Sequence, residues 1–247
     1  MIPTLQQGQF GIAGNQSGPT TDEFFSSVVL LVDASAESNG STPAGIDVIG
    51  KTPTWRGNAQ CKTDQFKFGS SSIYLDGTND RVSFPDSADW AMGTGDATWE
   101  AWVRPEGSFG SGSRVWLSQA NSFGGFYSAQ GYRNTSDLHT TLVSNGSTSY
   151  GSTSTNIPSD AWSHLAIVRH GANLYGYING VQQIASTALS GVTLMDSTGA
   201  MTIGAYNDAD GSSHWKGWID QIRITKGVAR YKASFIVVPT AKFPHSA

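Results

Sequence analysis

The chain contains one cysteine, few charged residues and no long apolar stretch. Cys61 alone cannot form an internal disulfide, so stability must come from burial, and we expect this thiol to be buried and unreactive. Charged residues make up 14% of the 247 positions and the formal net charge is −4. This argues against nucleic acid as a partner, because protein surfaces that bind nucleic acid contain clusters of Lys and Arg. The longest apolar stretch, Val28–Val32, is far shorter than the roughly 20 residues that span a bilayer, so we expect no membrane segment.

Signals for export and for catalysis are also missing. Residues 1–8 have neither the basic nor the apolar region of a secretion signal, so we expect a protein made in a cytoplasm without such export. The five histidines show no zinc-ligand spacing, and the Gly/Ser segment at 108–112 is not the strand-to-helix elbow of a serine hydrolase. The sequence therefore predicts that the protein is not an enzyme.

Aromatic residues and glycines, by contrast, are abundant. Eight Trp, eight Tyr and eleven Phe supply a sizeable core, and 29 glycines suit many short strands joined by turns. We expect one all-β sandwich, since such sandwiches reach this length as a single unit. Strands are predicted at 27–33, 46–49, 71–76, 80–84, 97–104, 113–118, 125–130, 138–144, 161–170, 173–178, 201–205 and 216–225.

Two turn signals stand between predicted strands. Gly77, Thr78 and Asn79 predict a hairpin between the strands on either side, with one residue at positive φ. Asn179 followed by Gly180 predicts a type I′ hairpin. Both signals favour antiparallel neighbours.

Side-chain alternation over 97–104 places one tryptophan on each face of this strand. We therefore expect both faces to be covered. Glu100 is a single acid between the two tryptophans, and we expect it to pair with an arginine near the sheet, such as Arg104 or Arg169, rather than to act as a catalyst. The tryptophans in the middle of predicted strands are expected in the core: Trp99, Trp102, Trp162 and Trp218.

The chain divides into three parts by composition. Residues 1–26 are rich in Gly, Gln, Thr and Pro and predict an extended arm, 27–240 predict the sandwich, and 241–247 predict a C-terminal tail. The segment from 228 onward is expected to pack along the outside of the sandwich. Three apolar arm residues are candidate assembly anchors that would dock on neighbouring chains by strand addition: Ile2, Leu5 and Phe10.

Seven segments occur in an order that marks a family. They are FGSSSIYLDG at 68–77, FPDSADW at 84–90, TWEAWV at 98–103, WSHLAIVR at 162–169, YING at 177–180, IG at 203–204 and GWIDQIRI at 217–224. With these segments the chain resembles a concanavalin A-like sandwich of the laminin-G-like type over about residues 27–240.

The resemblance implies two stacked antiparallel sheets of six or seven strands each, and it implies no chemistry. Members include lectins, adhesion modules, glycosidase accessory domains and structural proteins of tailed phages. The segment 222–231, leading to Phe243 and Pro244, resembles a closing sequence of phage virion copies of the fold. Glycosidases on this fold need two carboxylates on one cleft, and no such cluster occurs along one strand here.

Two kinds of binding site remain open. One is a sugar site formed by Tyr206, His214 and Trp215, which bracket the loop 207–213. For this set and for a second one, the alternative to sugar binding is that the side chains simply pack at the edge of the sandwich. The second set is Phe123, Phe126 and Tyr132. For calcium, which this fold often binds with loop carboxylates, the candidates are Asp76, Asp80, Asp208 and Asp210, with Asp33 and Asp47 weaker. The favoured interpretation of these acids is that they stabilise turns.

The sequence thus favours a non-enzymatic phage virion structural protein, such as a head decoration or tail-associated subunit. It would be located in the virion, with other virion proteins as partners through the N-terminal arm. We expect a homo-oligomer, and by analogy with surface decoration subunits, which often lie on threefold positions, we expect a trimer. The alternative is a carbohydrate-binding module or lectin that mediates attachment to host glycans. No cofactor is predicted apart from the open question of Ca²⁺.

Overall fold

The computed structural model describes residues 20–107, 114–121, 127–133, 138–144, 146–186, 188–209 and 213–247. These residues form fifteen β-strands, numbered along the chain, and two short 3₁₀ helices, Phe25–Ser27 and Ala88–Trp90. No helix among them is long and apolar enough to cross a membrane. The predicted all-β class is confirmed.

The strands form two antiparallel sheets, as predicted. Sheet A contains, in spatial order, β13 (Val181–Ser186), β12 (Asn173–Ile178), β11 (Ser163–His170), β6 (Ala97–Pro105), β15 (Lys216–Lys226), β4 (Ser72–Asp76) and β3 (Gln60–Lys62), with β1 (Val28–Val32) also paired to β15. Sheet B contains β10 (Ser149–Asn156), β9 (Leu138–Ser144), β8 (Tyr127–Arg133), β7 (Arg114–Ala120), β14 (Met201–Ile203), β5 (Arg81–Phe84) and β2 (Thr54–Arg56).

The core lies between the inner faces of the two sheets. Its largest fully buried side chains include Trp90, Trp99, Trp116 and Trp215. Cys61 belongs to the same cluster, and burial raises the pKa of its thiol to about 12. The sequence-based expectation of a buried, unreactive thiol is therefore confirmed, since the thiolate is the reactive form.

The predicted hairpin around Gly77 is wrong, although Gly77 does take a positive φ of 89°. β4 pairs with β15 and β3 in sheet A, whereas β5 pairs with β14 and β2 in sheet B. The turn therefore carries the chain from one sheet to the other. Asp80 fixes this crossing, because its buried carboxylate accepts the backbone N–H groups of Asp76 and Asn58. The Asn179–Gly180 hairpin is confirmed, with both residues at positive φ between β12 and β13.

The predicted strand at 46–49 is also wrong. Asp47 makes only an isolated bridge to Val32. Its carboxylate instead accepts N–H bonds from Leu31, Ile49 and Lys51, which turns the local chain away from a ladder. Four observed strands, β2, β3, β10 and β13, were not predicted, because each is short or polar and lacks apolar alternation.

A bulge in β15 decides which side chains face outward. Asp220 lies opposite Trp102 and Arg223 lies opposite Glu100, so β15 has one residue more than β6 in this interval. Gln221 takes a φ of 49° at this point. Without the extra residue, alternation would direct Ile222 outward and Arg223 into the core. With it, the isoleucines at 219, 222 and 224 all lie in the core.

Arg223 consequently meets Glu100 on the outer face of sheet A. Its guanidinium donates to Glu100 Oε1 at 2.8 and 2.9 Å. The other carboxylate oxygen accepts the Tyr231 hydroxyl at 2.6 Å and lies 3.0 Å from His164 Nε2. Burial alone would raise the pKa of Glu100, but Arg223, His164 and Arg230 outweigh it and hold this pKa well below its usual range.

The prediction that Glu100 pairs with an arginine is therefore confirmed, but the arginine is neither Arg104 nor Arg169. Arg169 donates to the carbonyls of Gly93 and Val192, and Arg104 pairs with Asp160. The sequence separation explains the error, because the true partner is 123 positions away.

Asp22 completes this buried network of charges. Its carboxylate accepts from Arg223 at 2.9 Å and from Arg230 at 2.7 Å, and it is 6% exposed. Asp22 belongs to the part of the predicted arm, 20–26, that in fact packs on the sandwich. The predicted anchors Ile2, Leu5 and Phe10 lie outside the described residues.

The C-terminal segment from 228 packs along the outer face of sheet A, as the sequence predicted. Tyr231 packs with Ala166, Val168 and Tyr177 of that face. Phe243 packs with Val28 and Leu31, and its ring lies 3.9 Å from the Arg223 guanidinium carbon. One half of the outer face is thus covered by the chain itself.

We predict that Asp22→Asn destabilises the fold by about 3 kcal/mol or more, because it leaves two buried guanidiniums with one carboxylate between them. Urea unfolding at pH 7, followed by tryptophan fluorescence, measures the loss. Asp89→Asn is the matched control, since Asp89 pairs with Lys51 but its side chain is 43% exposed. That change should cost about 1 kcal/mol or less. Equal losses in the two variants would contradict the structural role given to the network.

Candidate functional site

Three aromatic side chains lie next to one another on the other half of this outer face. Trp102 comes from β6, Trp218 from β15 and Tyr74 from β4, and we call them the aromatic row. Tyr74 lies directly opposite Trp218 in the ladder, with ring centroids 4.9 Å apart. Trp102 is 4% and Trp218 7% exposed, whereas Tyr74 is half-buried. The sequence analysis placed Trp102, Trp162 and Trp218 in the core, and the structure corrects this. Trp162 is only half-buried, and Trp102 and Trp218 lie outside the space between the sheets.

A cation lies over each ring of the row. Lys67 Nζ is 3.9 Å from the Trp102 ring centroid, and Lys62 Nζ is 3.8 Å from that of Tyr74. The guanidinium carbon of Arg104 is 5.3 Å from the Trp218 centroid. Each such contact contributes about 0.5–1 kcal/mol at exposed sites. The low exposure of the rings therefore comes partly from long side chains that move aside at small cost.

Several polar atoms on the same face have no hydrogen-bond partner within the described protein. They are Nε1 of Trp102, Nε1 of Trp218, Nδ1 of His164 and Oδ1 of Asp220, and all are buried. Buried polar groups are nearly always hydrogen-bonded, so each of these atoms calls for an explanation. Together they provide two indole N–H donors and one carboxylate oxygen beside the aromatic row.

Asp220 also holds the loop between β3 and β4 against the row. Its second oxygen, Oδ2, accepts the backbone N–H groups of Lys67 and Phe68 at 3.0 and 3.1 Å. The Phe68 ring then meets Trp102 edge-on at 5.8 Å. The carboxylate thus fixes the loop backbone from which the Lys67 and Phe68 side chains cover one end of the row.

Burial shifts the pKa values of two side chains at the row, Asp220 and Tyr74. Burial raises the pKa of Asp220 to about 7, against the two backbone N–H bonds, and Asp33 adds to the rise. Burial and the neighbouring Glu106 raise the pKa of Tyr74 to about 12, so its hydroxyl remains a donor to Glu106 at 3.1 Å. Asp220 therefore titrates near neutral pH while Tyr74 does not.

The predicted sugar platform at the 207–213 loop is not assembled as expected. Trp215 is fully buried in the core and donates its backbone N–H to Gly204, so its ring offers no stacking surface. Tyr206 and His214 are half-buried. Within this set, Trp215 was predicted wrongly, because its side chain packs in the core although the residue borders the loop. In the second predicted set, Phe123, Phe126 and the Tyr132 side chain lie outside the described residues.

The calcium candidates in the described part of the chain stabilise turns or pair with cations. Asp76 accepts the Thr78 N–H, and Asp208 pairs with Arg56 and Arg81. Asp33 pairs with Lys242. Asp210 lies outside the described residues. Within those residues, no three His, Cys, Asp or Glu side chains come together as a metal ion would need.

A pocket of about 420 Å³ lies where residues 21–24 meet the C-terminal segment 237–244. Asp22, Arg223 and Arg230 line it, but their charged groups are engaged with one another. Its remaining wall is largely apolar, with Phe24 and Phe243 among its residues. The buried charged groups of the pocket are therefore engaged, whereas the aromatic row has buried polar atoms without a partner.

Sequence reasoning missed Lys62, Lys67 and Tyr74 as site residues. The signal that could have found the row was the alternation in two segments. Over 98–104 it directs Trp102 outward, and over 217–220 it directs Trp218 to the same face as Asp220. Their proximity depends on strand order, which the two segments do not contain.

We predict that Asp220→Asn removes a pH dependence of stability. Because the folded-state pKa is raised from 3.8 to about 7, the stability that protonated Asp220 contributes is fully present below pH 4 and is lost as the pH rises through 7. The stability of the unsubstituted protein relative to the variant should therefore fall by up to about 4 kcal/mol between pH 4 and pH 8. Urea unfolding across this range measures it, with exposed Asp196→Asn as the control. A difference that does not change with pH would refute the assignment.

Comparison with known families identifies residues 76–230 as a match to the laminin G type 3 family model of the concanavalin A-like lectin/glucanases superfamily. A comparison with curated proteins finds no match. The matched segment begins at the end of β4 and ends in the C-terminal segment, so it includes most strands of both sheets.

Solved structures with the same fold include binding domains of toxins and a domain of a glycosidase. The binding domain of paraclostridial mosquitocidal protein 1 has a TM-score of 0.63 at 12% identity, over 83% of this chain and 50% of that one. A structure of botulinum neurotoxin type C, a toxin whose cell entry is described as dependent upon interaction with two ganglioside molecules, has a TM-score of 0.61 at 13% identity. The match covers 83% of this chain and 49% of that one. Domain 4 of the arabinanase AbnA from Geobacillus stearothermophilus, in complex with arabinotriose, has a TM-score of 0.58 at 18% identity, over 82% and 93%.

The chain spans about half the length of the two toxin domains and nearly all of the arabinanase domain. At these identities the likeness concerns the fold alone. The family match covers more than half of the chain and agrees with the two-sheet topology. The protein belongs to the concanavalin A-like lectin/glucanases superfamily.

Proposed function

We propose that the protein is a non-enzymatic carbohydrate-binding protein that holds a sugar on the aromatic row. The observation that carries this proposal is the row itself, with two unpartnered indole N–H groups and one unpartnered carboxylate oxygen beside it. Ligand sites combine apolar and aromatic surface with a few polar groups that fix orientation. A sugar needs this combination, because its ring has apolar C–H faces and a polar rim of hydroxyls.

The row matches a sugar in both respects. The C–H face of a pyranose or furanose packs on an aromatic ring such as Trp218 or Tyr74. Its hydroxyls accept from the indole N–H groups and donate to Asp220 Oδ1. Satisfying these buried atoms removes a desolvation cost of about 1–3 kcal/mol each, which gives the binding its specificity for polyhydroxylated ligands.

The cations over the rings regulate access to the row. A ligand displaces a cation–π contact worth about 0.5–1 kcal/mol and gains a ring-to-ring contact in its place. The displaced ammonium or guanidinium remains close enough to donate to hydroxyls or to anionic groups of the ligand. The cationic side chains that lie over the rings are therefore compatible with sugar binding.

The structural neighbours support this proposal. One is a domain of an arabinanase in complex with arabinotriose, and another belongs to a neurotoxin whose cell entry depends on ganglioside. From these neighbours we carry over to this chain only the ligand class, carbohydrate, and no particular sugar.

The chemistry of the acids favours binding over hydrolysis. Glycosidases place two carboxyl groups on either side of the scissile bond. On the described outer face of sheet A, Glu100 and Asp220 come from neighbouring strands. Glu100 is fully buried, however, and both of its oxygens are engaged by Arg223, Tyr231 and His164. Of these two acids only Asp220 keeps a free oxygen, so Glu100 and Asp220 do not form a catalytic pair.

We predict that a glycan array, probed with and without Ca²⁺, finds a ligand whose binding shifts the indole N–H resonances of Trp102 and Trp218. The indoles of Trp90 and Trp116 in the core should not shift, because they lie between the sheets. Tyr74→Ala should weaken binding at least tenfold, since it removes one ring of the row, and thermal unfolding checks that the variant is folded.

Tyr206→Ala is the matched control, because it alters the other predicted sugar platform and leaves the row intact. The proposal fails if no glycan binds. It also fails if Tyr206→Ala abolishes binding while the Trp102 and Trp218 resonances stay in place.

A second candidate function is that of a phage virion structural protein, which is compatible with sugar binding. The closing sequence at 222–231 supports it by resemblance. The position of Asp22 gives it a mechanism, because the buried network fixes the chain at residues 20–24 and any arm formed by residues 1–19 starts from that anchored point. Ile2, Leu5 and Phe10 would then dock on neighbouring virion proteins or on further copies of the chain.

We predict that deleting residues 2–19 abolishes self-assembly, or incorporation into a particle, and leaves the sandwich intact. The deletion keeps Asp22, so the melting temperature should change by less than about 2 °C. Sedimentation of the full chain and of the shortened chain measures assembly. Identical sedimentation as monomers would count against the arm, and a large loss of stability would show that residues 2–19 belong to the sandwich.

A further inference from the structure

Two of the cations over the aromatic row have no acidic partner. Lys62 and Lys67 form no ion pair with any described residue, whereas Arg104 pairs with Asp160 at 3.3 Å and Lys216 lies 3.9 Å from Glu106. Lys62 covers Tyr74 and Lys67 covers Trp102. The unpaired charges therefore lie over the first and last rings of the row.

Lys67 is also partly removed from water. Burial lowers the pKa of its ammonium, and Asp220 opposes this effect. The backbone N–H of Lys67 already donates to Asp220 Oδ2, so the loop position is fixed independently of the side chain. A partly desolvated ammonium without a partner gains more from an incoming anion than a fully hydrated one does.

None of the described acidic side chains around the row forms an ion pair with either of these two lysines. Glu106 accepts the Tyr74 hydroxyl, and Asp76 accepts the amide of Asn58. Asp160 is engaged with Arg104, and exposed Asp64 forms no ion pair with either lysine. Asp220, the remaining acid, is buried beside the row, and its Oδ2 accepts from the loop backbone.

We propose that the aromatic row takes an anionic sugar, whose ring packs on Trp218 and Tyr74 and whose acidic group pairs with Lys62 or Lys67. The inference rests on the proposed carbohydrate-binding function and names its ligand class. The acidic group is a carboxylate, as in a uronic or sialic acid, or a sulfate, since both present oxygens to an ammonium in the same way. Neutral sugars use the rings and the indole N–H groups but leave both lysines unpaired.

Calorimetric titration of the full chain tests this at pH 7 in 50 mM and 500 mM NaCl. The probes are uronic-acid trisaccharides and sialyllactose, each with its methyl ester, and sulfated trisaccharides of the same backbones. The ester keeps the rings and the hydroxyls and removes only the charge. We expect the acid to bind at least tenfold more tightly than its ester, and the advantage to shrink in high salt.

The double substitution Lys62→Gln and Lys67→Gln should abolish the preference for the acid over its ester, whatever the change in the affinity for the ester itself. Lys232→Gln, at an exposed lysine of the C-terminal segment, is the matched control and should retain the full preference. A sulfated probe that binds more tightly than the carboxylated one, with the same dependence on both lysines, identifies sulfate as the anion.

The remaining outcomes separate this inference from the function on which it rests. Equal affinity of acid and ester, or a preference that survives the double substitution, overturns the anionic class and leaves carbohydrate binding in place. Failure of every probe and of every glycan on the array overturns both.

Discussion

The buried ion network around Arg223 is the interaction on which the rest of the structure depends. It joins Glu100 in the middle of β6, Asp22 near the start of the described chain and Arg230 in the C-terminal segment. The isolated charges would be very costly to bury, and they are tolerated because every one of them has an opposite partner with good geometry. Three segments that are distant in sequence are thereby held on one face of sheet A.

The network exists because β15 contains a bulge at Gln221. The bulge sends Arg223 outward while the isoleucines on either side remain in the core. Gln221 itself is buried, donating to Asp33 at 2.6 Å and accepting from the Phe243 N–H at 2.9 Å. A single extra residue in one strand thus determines both the charge pairing and the seat of the C-terminal segment.

The same arrangement divides the outer face of sheet A into two halves with different properties. Beside Tyr231 and Phe243 the face is covered by the chain's own tail, and the Glu100 carboxylate is engaged by its neighbours. Beside Trp102, Trp218 and Tyr74 the described residues that cover it are long cationic side chains and one loop. The two indole N–H groups and the carboxylate oxygen that are left without a partner there are the reason for placing the binding site at this half.

The fold could be predicted from the sequence to a large extent, and the site only in small part. The order of the tryptophan-bearing segments predicted the family, and Asn179–Gly180 predicted its hairpin, because these signals are local. The turn at Gly77 looks the same whether the chain stays in one sheet or changes sheets, so its hairpin was wrong.

Local sequence patterns could not predict contacts between residues that are far apart in the sequence. Glu100 finds Arg223 rather than a near neighbour, and Trp215 turns into the core although it borders a polar loop. The aromatic row requires β4, β15 and β6 to be adjacent, which only the sheet order provides.

The most direct measurement of the central claim is a crystal structure of the protein with the oligosaccharide that it binds most tightly. The account predicts a sugar ring over Trp218 and Tyr74, within hydrogen-bond distance of the Trp102 or Trp218 indole N–H and of Asp220, with Lys62 and Lys67 moved from their rings. A sugar seated at the Tyr206 and His214 loop, with the aromatic row still covered by its cations, would contradict it.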